Sequence, residues 1–143
     1  MTTNRKTLRA NLAALLAQEA TSAQVVYGYG ATRFDAQTPV IAITSAASER
    51  ERLTMRGSRL TATFDVHVFV LHSDGGSWAE DDAEDAIDDI EQQIASACDK
   101  YPTWVGKWGL LRYDGPTDAR DLVKIEGVDY LHETITIQMQ EYT

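Results

Sequence analysis

RLTATFDVHVFVL, residues Arg59–Leu71, alternates almost without fault. Leu60, Ala62, Phe64, Val66, Val68 and Val70 point one way, and Thr61, Thr63, Asp65, His67, Phe69 and Leu71 the other. A two-residue period over this length, rich in β-branched and aromatic residues, predicts a long half-buried strand. One face is fully apolar and needs a cover.

The cover follows directly. Ser73-Asp74-Gly75-Gly76-Ser77 is a turn signal, and a helix is predicted from about Trp78 to Lys100. Ser77 and Glu80 fit a capping box. Glu80, Asp81, Asp82, Glu84 and Asp85 load the first turns, which suits the positive end of the helix dipole. Ala83, Ile87, Ile90, Ile94, Ala97 and Cys98 form one narrow apolar stripe that can lie on the Leu60–Val70 face. Each isoleucine, fully buried, contributes roughly 1.5–3 kcal/mol of transfer free energy. Pro102 stops the helix.

Upstream, RKTLRANLAALLAQEA over residues 5–20 places Leu8, Leu12, Leu15, Leu16 and Ala20 on one side of a second amphipathic helix, capped by Thr3 or Asn4. Val25–Tyr27 reads as a short strand, and Tyr29–Thr38 as a polar loop with Arg33 and Asp35. Pro39–Thr44 is apolar on both faces, the mark of a central strand. Ser45–Ser58 (SAASERERLTMRGS) then breaks the pattern and reads as a long mobile loop. It is far longer than a hairpin needs, and Leu53 and Met55 have no evident place in a core.

Downstream, Tyr101–Gly109 carries Trp104 and Trp108 around Gly106. Leu110–Tyr113 reads as a short strand, and Asp114-Gly115-Pro116 as a turn. Asp118–Asp121 is polar, and Gly127 breaks the chain after Leu122–Ile125. Tyr130–Tyr142 closes the chain as a second long alternating strand. Leu131, Ile135, Ile137 and Met139 share one face of it; Tyr130, His132, Thr134, Thr136, Gln138, Gln140 and Tyr142 share the other. Two long strands with one aliphatic and one polar face predict an α+β fold. It is a single, mainly antiparallel or mixed sheet of about four to five strands, with two helices packed on one face. The other face meets water or another subunit.

At 143 residues and 43% hydrophobic, the chain fits one domain spanning 1–143 with a substantial core. It has no apolar run of transmembrane length and no secretory signal pattern, so the expected compartment is a cytoplasm, without membrane contact. The single cysteine, Cys98, excludes an internal disulfide and reads as a buried small hydrophobe. The net charge of −9 is uneven. Residues 1–59 carry eight bases and four acids, residues 60–99 eleven acids and no base, and residues 100–143 five bases and seven acids. Oppositely signed patches of this kind suit pairing between copies. The overall sign argues against nonspecific duplex binding.

No catalytic signature is present, and no cofactor, metal or catalytic residue is expected. The acids Asp81, Asp82, Asp85, Asp88 and Asp89 share helix faces, but a straight helix lacks the loop carbonyls of a tight hard-cation site. Repulsion along that face hints at a basic partner, so Asp81, Asp85 and Asp88 are candidate subunit-interface residues. Trp104 and Trp108 join them, or serve packing. His67 and His132 fall on the polar faces of two strands that can pair, yet no nucleophile or third ligand accompanies them. No glycine matches a phosphate loop. Arg50, Arg52, Leu53, Met55 and Arg56 are the candidate partner-binding residues of the 45–58 segment.

The order of elements carries one resemblance. An amphipathic helix, short strands around Val25 and Ile41, a charged segment, a long alternating strand, an acidic helix, a Trp/Gly stretch and a closing strand ending in ETITIQMQEYT follow one another over nearly the whole chain. This resembles the tail terminator (tail completion) proteins of long-tailed bacteriophages, the lambda U-like family. The likeness is one of pattern and length, without a diagnostic motif. It implies a non-enzymatic virion protein, assembled in the host cytoplasm, that sits at the head–tail junction as a homo-oligomeric ring of six. The ring would end tail-tube polymerisation, offer a surface to the head-completion or connector protein, and let DNA pass without specific binding. The segment 45–58 would reach the tail tube protein. Other phage neck, connector or minor tail proteins share this length and acidity. Two readings of other classes stand beside it, a small metal-dependent enzyme and an acidic DNA mimic.

Overall fold

The computed structural model describes residues 4–31, 33–34, 38–72, 80–115, 121–125 and 127–142. The elements run α1 (Arg5–Glu19), β1 (Val25–Tyr27), β2 (Val40–Arg52), β3 (Ser58–Leu71), α2 (Glu80–Lys100), β4 (Leu110–Tyr113), β5 (Asp121–Ile125) and β6 (Val128–Tyr142). The fold is α+β. Its sheet is ordered β1-β2-β3-β6-β4, with β5 also paired to β6, making six strands where the sequence predicts four to five. Among the described strands, only β1 and β2 pair in parallel.

β3 sits at the centre because its alternation serves both neighbours. It pairs with β2 from Val40↔Phe69 to Arg52↔Ser58 and with β6 from Arg59↔Tyr142 to Leu71↔Tyr130. Leu60, Ala62, Phe64, Val66, Val68 and Val70 are all buried. They form one core with Leu8, Leu12, Leu15 and Leu16 of α1, Ile87, Ile90 and Ile94 of α2, and Ile135, Ile137 and Met139 of β6. Both helices therefore cover the same face, as the stripes predict. Asn4 caps α1 by accepting a hydrogen bond from the Thr7 amide at 2.8 Å. The turn at 73–77, with the Ser77 half of the predicted capping box, lies outside the described residues.

The predicted mobile loop at 45–58 is corrected. Residues 45–52 continue β2, and 53–57 alone turn the chain into β3. A bulge between Ser45 and Ala47 inserts Ala46 and lets the ladder run on. The physical reason is tertiary: β3 offers an unbroken row of backbone partners, and eight further residues accept it without a hydrophobic face of their own.

The second sheet face is also less bare than predicted. Phe34, within the predicted polar loop, is fully buried with Val40 and Tyr130 in a second small cluster. Its ring lies 4.9 Å from Phe69 and 5.3 Å, edge-on, from Tyr130. Asp121–Ile125 forms a strand, joined to β6 by a tight turn in which Gly127 takes φ 78.

Candidate functional site

The β2–β3 hairpin is the first candidate. Every residue from Ala46 to Arg56 is exposed, although each from Ala47 to Arg52 is paired to β3. Residues opposite one another in an antiparallel pair project to the same side. Arg50, opposite Leu60, and Arg52, opposite Ser58, thus lie toward the helix side. Glu49 and Glu51 lie on the other, where Glu51 pairs with Arg59. On the helix side, α1 reaches the same arm: Arg9 donates to Ser45 Oγ at 2.9 Å and Arg5 to Ser48 Oγ at 3.4 Å. The bulge therefore gathers four arginines (Arg5, Arg9, Arg50 and Arg52) on one side of the arm.

Leu53, Met55 and Arg56 lie beyond the last rung, in the tip. The Thr54 hydroxyl accepts from the amides of Gly57 at 2.8 Å and Arg56 at 3.3 Å, and the Leu53 amide donates to the Gly57 carbonyl at 2.9 Å. Such a side-chain-capped turn holds its shape without a partner. It presents Met55, 94% exposed, and Leu53, 46% exposed, in a setting of arginines. All five partner-binding residues named from sequence thus fall on one structural unit.

The predicted subunit-interface set does not come together. Asp85 and Asp88 are exposed on the first half of α2, and the Asp81 side chain lies outside the described residues. Trp104 and Trp108 follow the other end of that helix, twelve residues past Asp88, or roughly 18 Å of helical rise. Trp108 is corrected to a core residue. It is 2% exposed, and its Nε1–H donates to the Tyr101 carbonyl at 3.1 Å. Trp104 is half-buried, stacked on Tyr101 at 5.1 Å and edge-on to Trp108 at 5.4 Å. The apolar residue this bend exposes is Val105, beside Gly106 at φ 84. Burying two indoles against Leu15 and the C-terminal end of α2 outweighs leaving them at a wet surface.

The third candidate is the open sheet face. Thr44, His67, His132 and Thr134 meet there beside an open cavity of about 300 Å³ walled by Ala42, Phe69, Val123 and Ile125. His67 Nδ1 and His132 Nε2 are 3.0 Å apart, and Thr134 Oγ1 is 3.3 Å from each. Thr44 Oγ1 lies 3.1 Å from His67 Nε2, and Asp121 Oδ1 lies 3.0 Å from His132 Nδ1. Burial lowers the His67 pKa below its ordinary value. The neighbouring His132 acts in the same direction, and Asp65 opposes it. Among the described residues, no three of His, Cys, Asp and Glu gather as a metal-binding cluster.

Sequence reasoning missed a buried carboxylate. Glu133 is 4% exposed between Leu131 and Ile135 on the helix-facing side of β6. Near it, the Tyr113 hydroxyl donates to Glu91 Oε1 at 2.9 Å. Burial raises the Tyr113 pKa first, with the Glu91 hydrogen bond and the charges of Glu91 and Glu133 adding to it. The signal was a lone acid in an aliphatic run, LHETITI.

No helix among the described residues is long and apolar enough to cross a membrane. No protein-family model matches the chain, and no characterised protein matches its sequence.

Proposed function

We propose that the protein is a non-enzymatic bacteriophage tail terminator. Copies of it close into a ring, a hexamer on the resemblance, that caps the tail tube, ends its polymerisation and carries the head-joining surface. The observation that carries this reading is the β2–β3 hairpin. Its β2 strand is exposed on both faces from Ala46 to Arg52, has no core residue beyond Ile43, and leads to a tip that presents Leu53 and Met55 amid arginines. Within one copy the arm supplies backbone partners to β3, but its exposed β2 side chains and its tip add nothing to the core; a ring component needs such an element to reach a neighbour or the tube.

Charge supports the same reading. The arginine-bearing arm and the acidic face of α2 are complementary surfaces on one chain, which suits repeated head-to-tail contacts around a ring. A net charge of −9 suits a lumen through which DNA slides without being held. The head-completion or connector protein and the tail tube protein are the proposed partners, and the virion neck is the proposed location.

The test is electron microscopy of purified tail tubes incubated with the protein, together with its native mass. The expected result is ring-shaped density at one end of each tube. Density on portal-bearing heads and none on tubes would move the protein to the connector class. Binding to neither would overturn the reading.

A further inference from the structure

We propose that the cavity on the open sheet face is a socket for the hairpin tip of a second copy of the chain, with Met55 as the side chain it takes. This inference rests on the reading of the protein as a ring component, and it names the surface that each arm reaches.

The cavity asks for an apolar occupant. It measures about 300 Å³ and is walled by Ala42, Phe69, Val123 and Ile125. Thr44, His67 and His132 line it as well, but their polar atoms are engaged with one another, with Thr134 and with Asp121. The wall left to an incoming group is therefore aliphatic and aromatic, and covering it removes apolar surface from water.

The same chain carries an apolar group without a cover. Met55 and Leu53 are exposed at the tip. Methionine is unbranched and polarizable, so it fills irregular spaces and packs well against an aromatic ring such as that of Phe69. Hydrogen bonds from the Thr54 hydroxyl and the Leu53 amide already hold the turn, so little order is lost on docking.

Charge agrees with this pairing. Asp121 is exposed opposite His132, at the edge of the cavity. Asp65 is half-exposed two residues before His67, on the same face of β3. Arg56 is exposed next to Met55, so seating the tip brings a cation to an acidic rim.

A tip does not reach its own socket. From Ser58 to Phe69 the chain takes eleven steps along β3. At about 3.3 Å each, that is roughly 36 Å. A second copy must supply the tip. Tip and socket are different surfaces, so the contact is head-to-tail, the kind that closes rings.

The test uses the full chain in a Cys98→Ala background. Met55→Cys protein is mixed with Val123→Cys protein and oxidised with diamide, both concentrated in solution and on purified tail tubes. The Met55–Val123 cross-link should form. Pairing Met55→Cys with Leu122→Cys should give little, since Leu122 lies on the other face of β5. Without cross-linking, Met55→Asp should weaken self-association at least about 10-fold, and Met55→Leu should keep it. Met55 is exposed in the single copy, so these variants should fold. Association or rings on tubes without the Met55–Val123 cross-link would overturn the docking and leave the terminator reading standing. The cross-link with no density on tubes, or in reciprocal dimers alone, would keep the docking and overturn the terminator reading. No association in either setting would overturn both.

Discussion

His67 and His132 are 65 positions apart in the chain, yet their facing nitrogens lie 3.0 Å from one another. Nothing local holds them there. The contact is produced by the antiparallel ladder between β3 and β6, and it is kept in order by Asp121 on the outer nitrogen of His132. His132 Nδ1 is expected to carry a proton, because the Asp121 carboxylate accepts and cannot donate. Nitrogen-15 chemical shifts of the two ring nitrogens check this. An Nε2–H form of His132 would show that Asp121 does not control the ring.

The two faces of β3 give a second prediction. Phe64 is fully buried opposite Ile137, and Thr63 is half-exposed opposite Gln138. Phe64→Asp removes a core aromatic, worth about 3–5 kcal/mol, and leaves a carboxylate in apolar surroundings, so the domain should not fold. Thr63→Asp should cost about 1 kcal/mol or less. Denaturant unfolding of both variants checks the pair, and similar losses would mean that the faces are reversed.

Alkaline pH gives a third. Burial pushes the Cys98 thiol up from its ordinary 9.0 to about 12, with the charge of Asp99 adding to the effect. Tyr113 is raised as well. Both groups are acids kept neutral in the fold, so the unfolded chain releases their protons first. Their contribution to stability is whole below the unfolded pKa values and is lost as pH rises toward the folded ones. For Cys98 that window runs from about 9 to about 12. Stability should fall through it, and Cys98→Ala should make the fall shallower. At about pH 8 the native thiol should resist alkylation, since the thiolate is the reactive form. Rapid native-state alkylation would show Cys98 to be exposed.

What the residues reveal on their own follows from periodicity. Leu60–Val70, the Ile87/Ile90/Ile94 stripe and the α1 leucines each repeat at the spacing of their element, so the core, both helices and the α+β class were readable. Ser45–Arg52 was not. Exposure on both faces erases any hydrophobic period, and its strand state depends on a partner strand, which local propensity does not encode. Phe34 and Glu133 were hidden for a related reason. Each is a single exception inside a segment of opposite character, and only the three-dimensional surroundings tell an exception from noise. The alternation put both histidines on polar faces, but their contact depended on a pairing register that the sequence leaves open.

The buried indole gives a fourth prediction. Trp108 fills core volume beside Leu15, and its N–H is satisfied by the Tyr101 carbonyl. Trp108→Ala should lose about 3–5 kcal/mol, whereas Trp104→Ala, at a half-buried site, should lose less. Neither change should alter subunit association beyond its effect on folding. Native mass at matched folded fraction measures this, and a selective loss of association in Trp108→Ala would return that residue to an interface.

The hairpin tip carries the last prediction. Because 45–52 is strand, excising the whole 46–56 segment would strip β3 of its partner and uncover the edge beside Leu60 and Ala62, so failure to fold would say nothing about binding. Arg52 and Ser58 form the last rung, and an Asn-Gly pair can join them directly through a two-residue hairpin turn. Replacing Leu53–Gly57 with Asn-Gly should therefore leave stability within about 0.5 kcal/mol, since the removed side chains are exposed. It removes Leu53, Met55 and Arg56 together. On the proposed function, the variant should fold and fail to cap tubes, leaving phage tails overlong or unable to join heads. Arg50→Glu with Arg52→Glu, which spares the tip, should weaken capping most at low salt, because exposed charge pairs are screened as ionic strength rises. Tail length by electron microscopy and infectious yield measure both effects. If a folded, tip-less protein still gave tails of normal length that joined heads at the normal rate, the hairpin would be a bystander and the contact surface would have to lie elsewhere on the sheet.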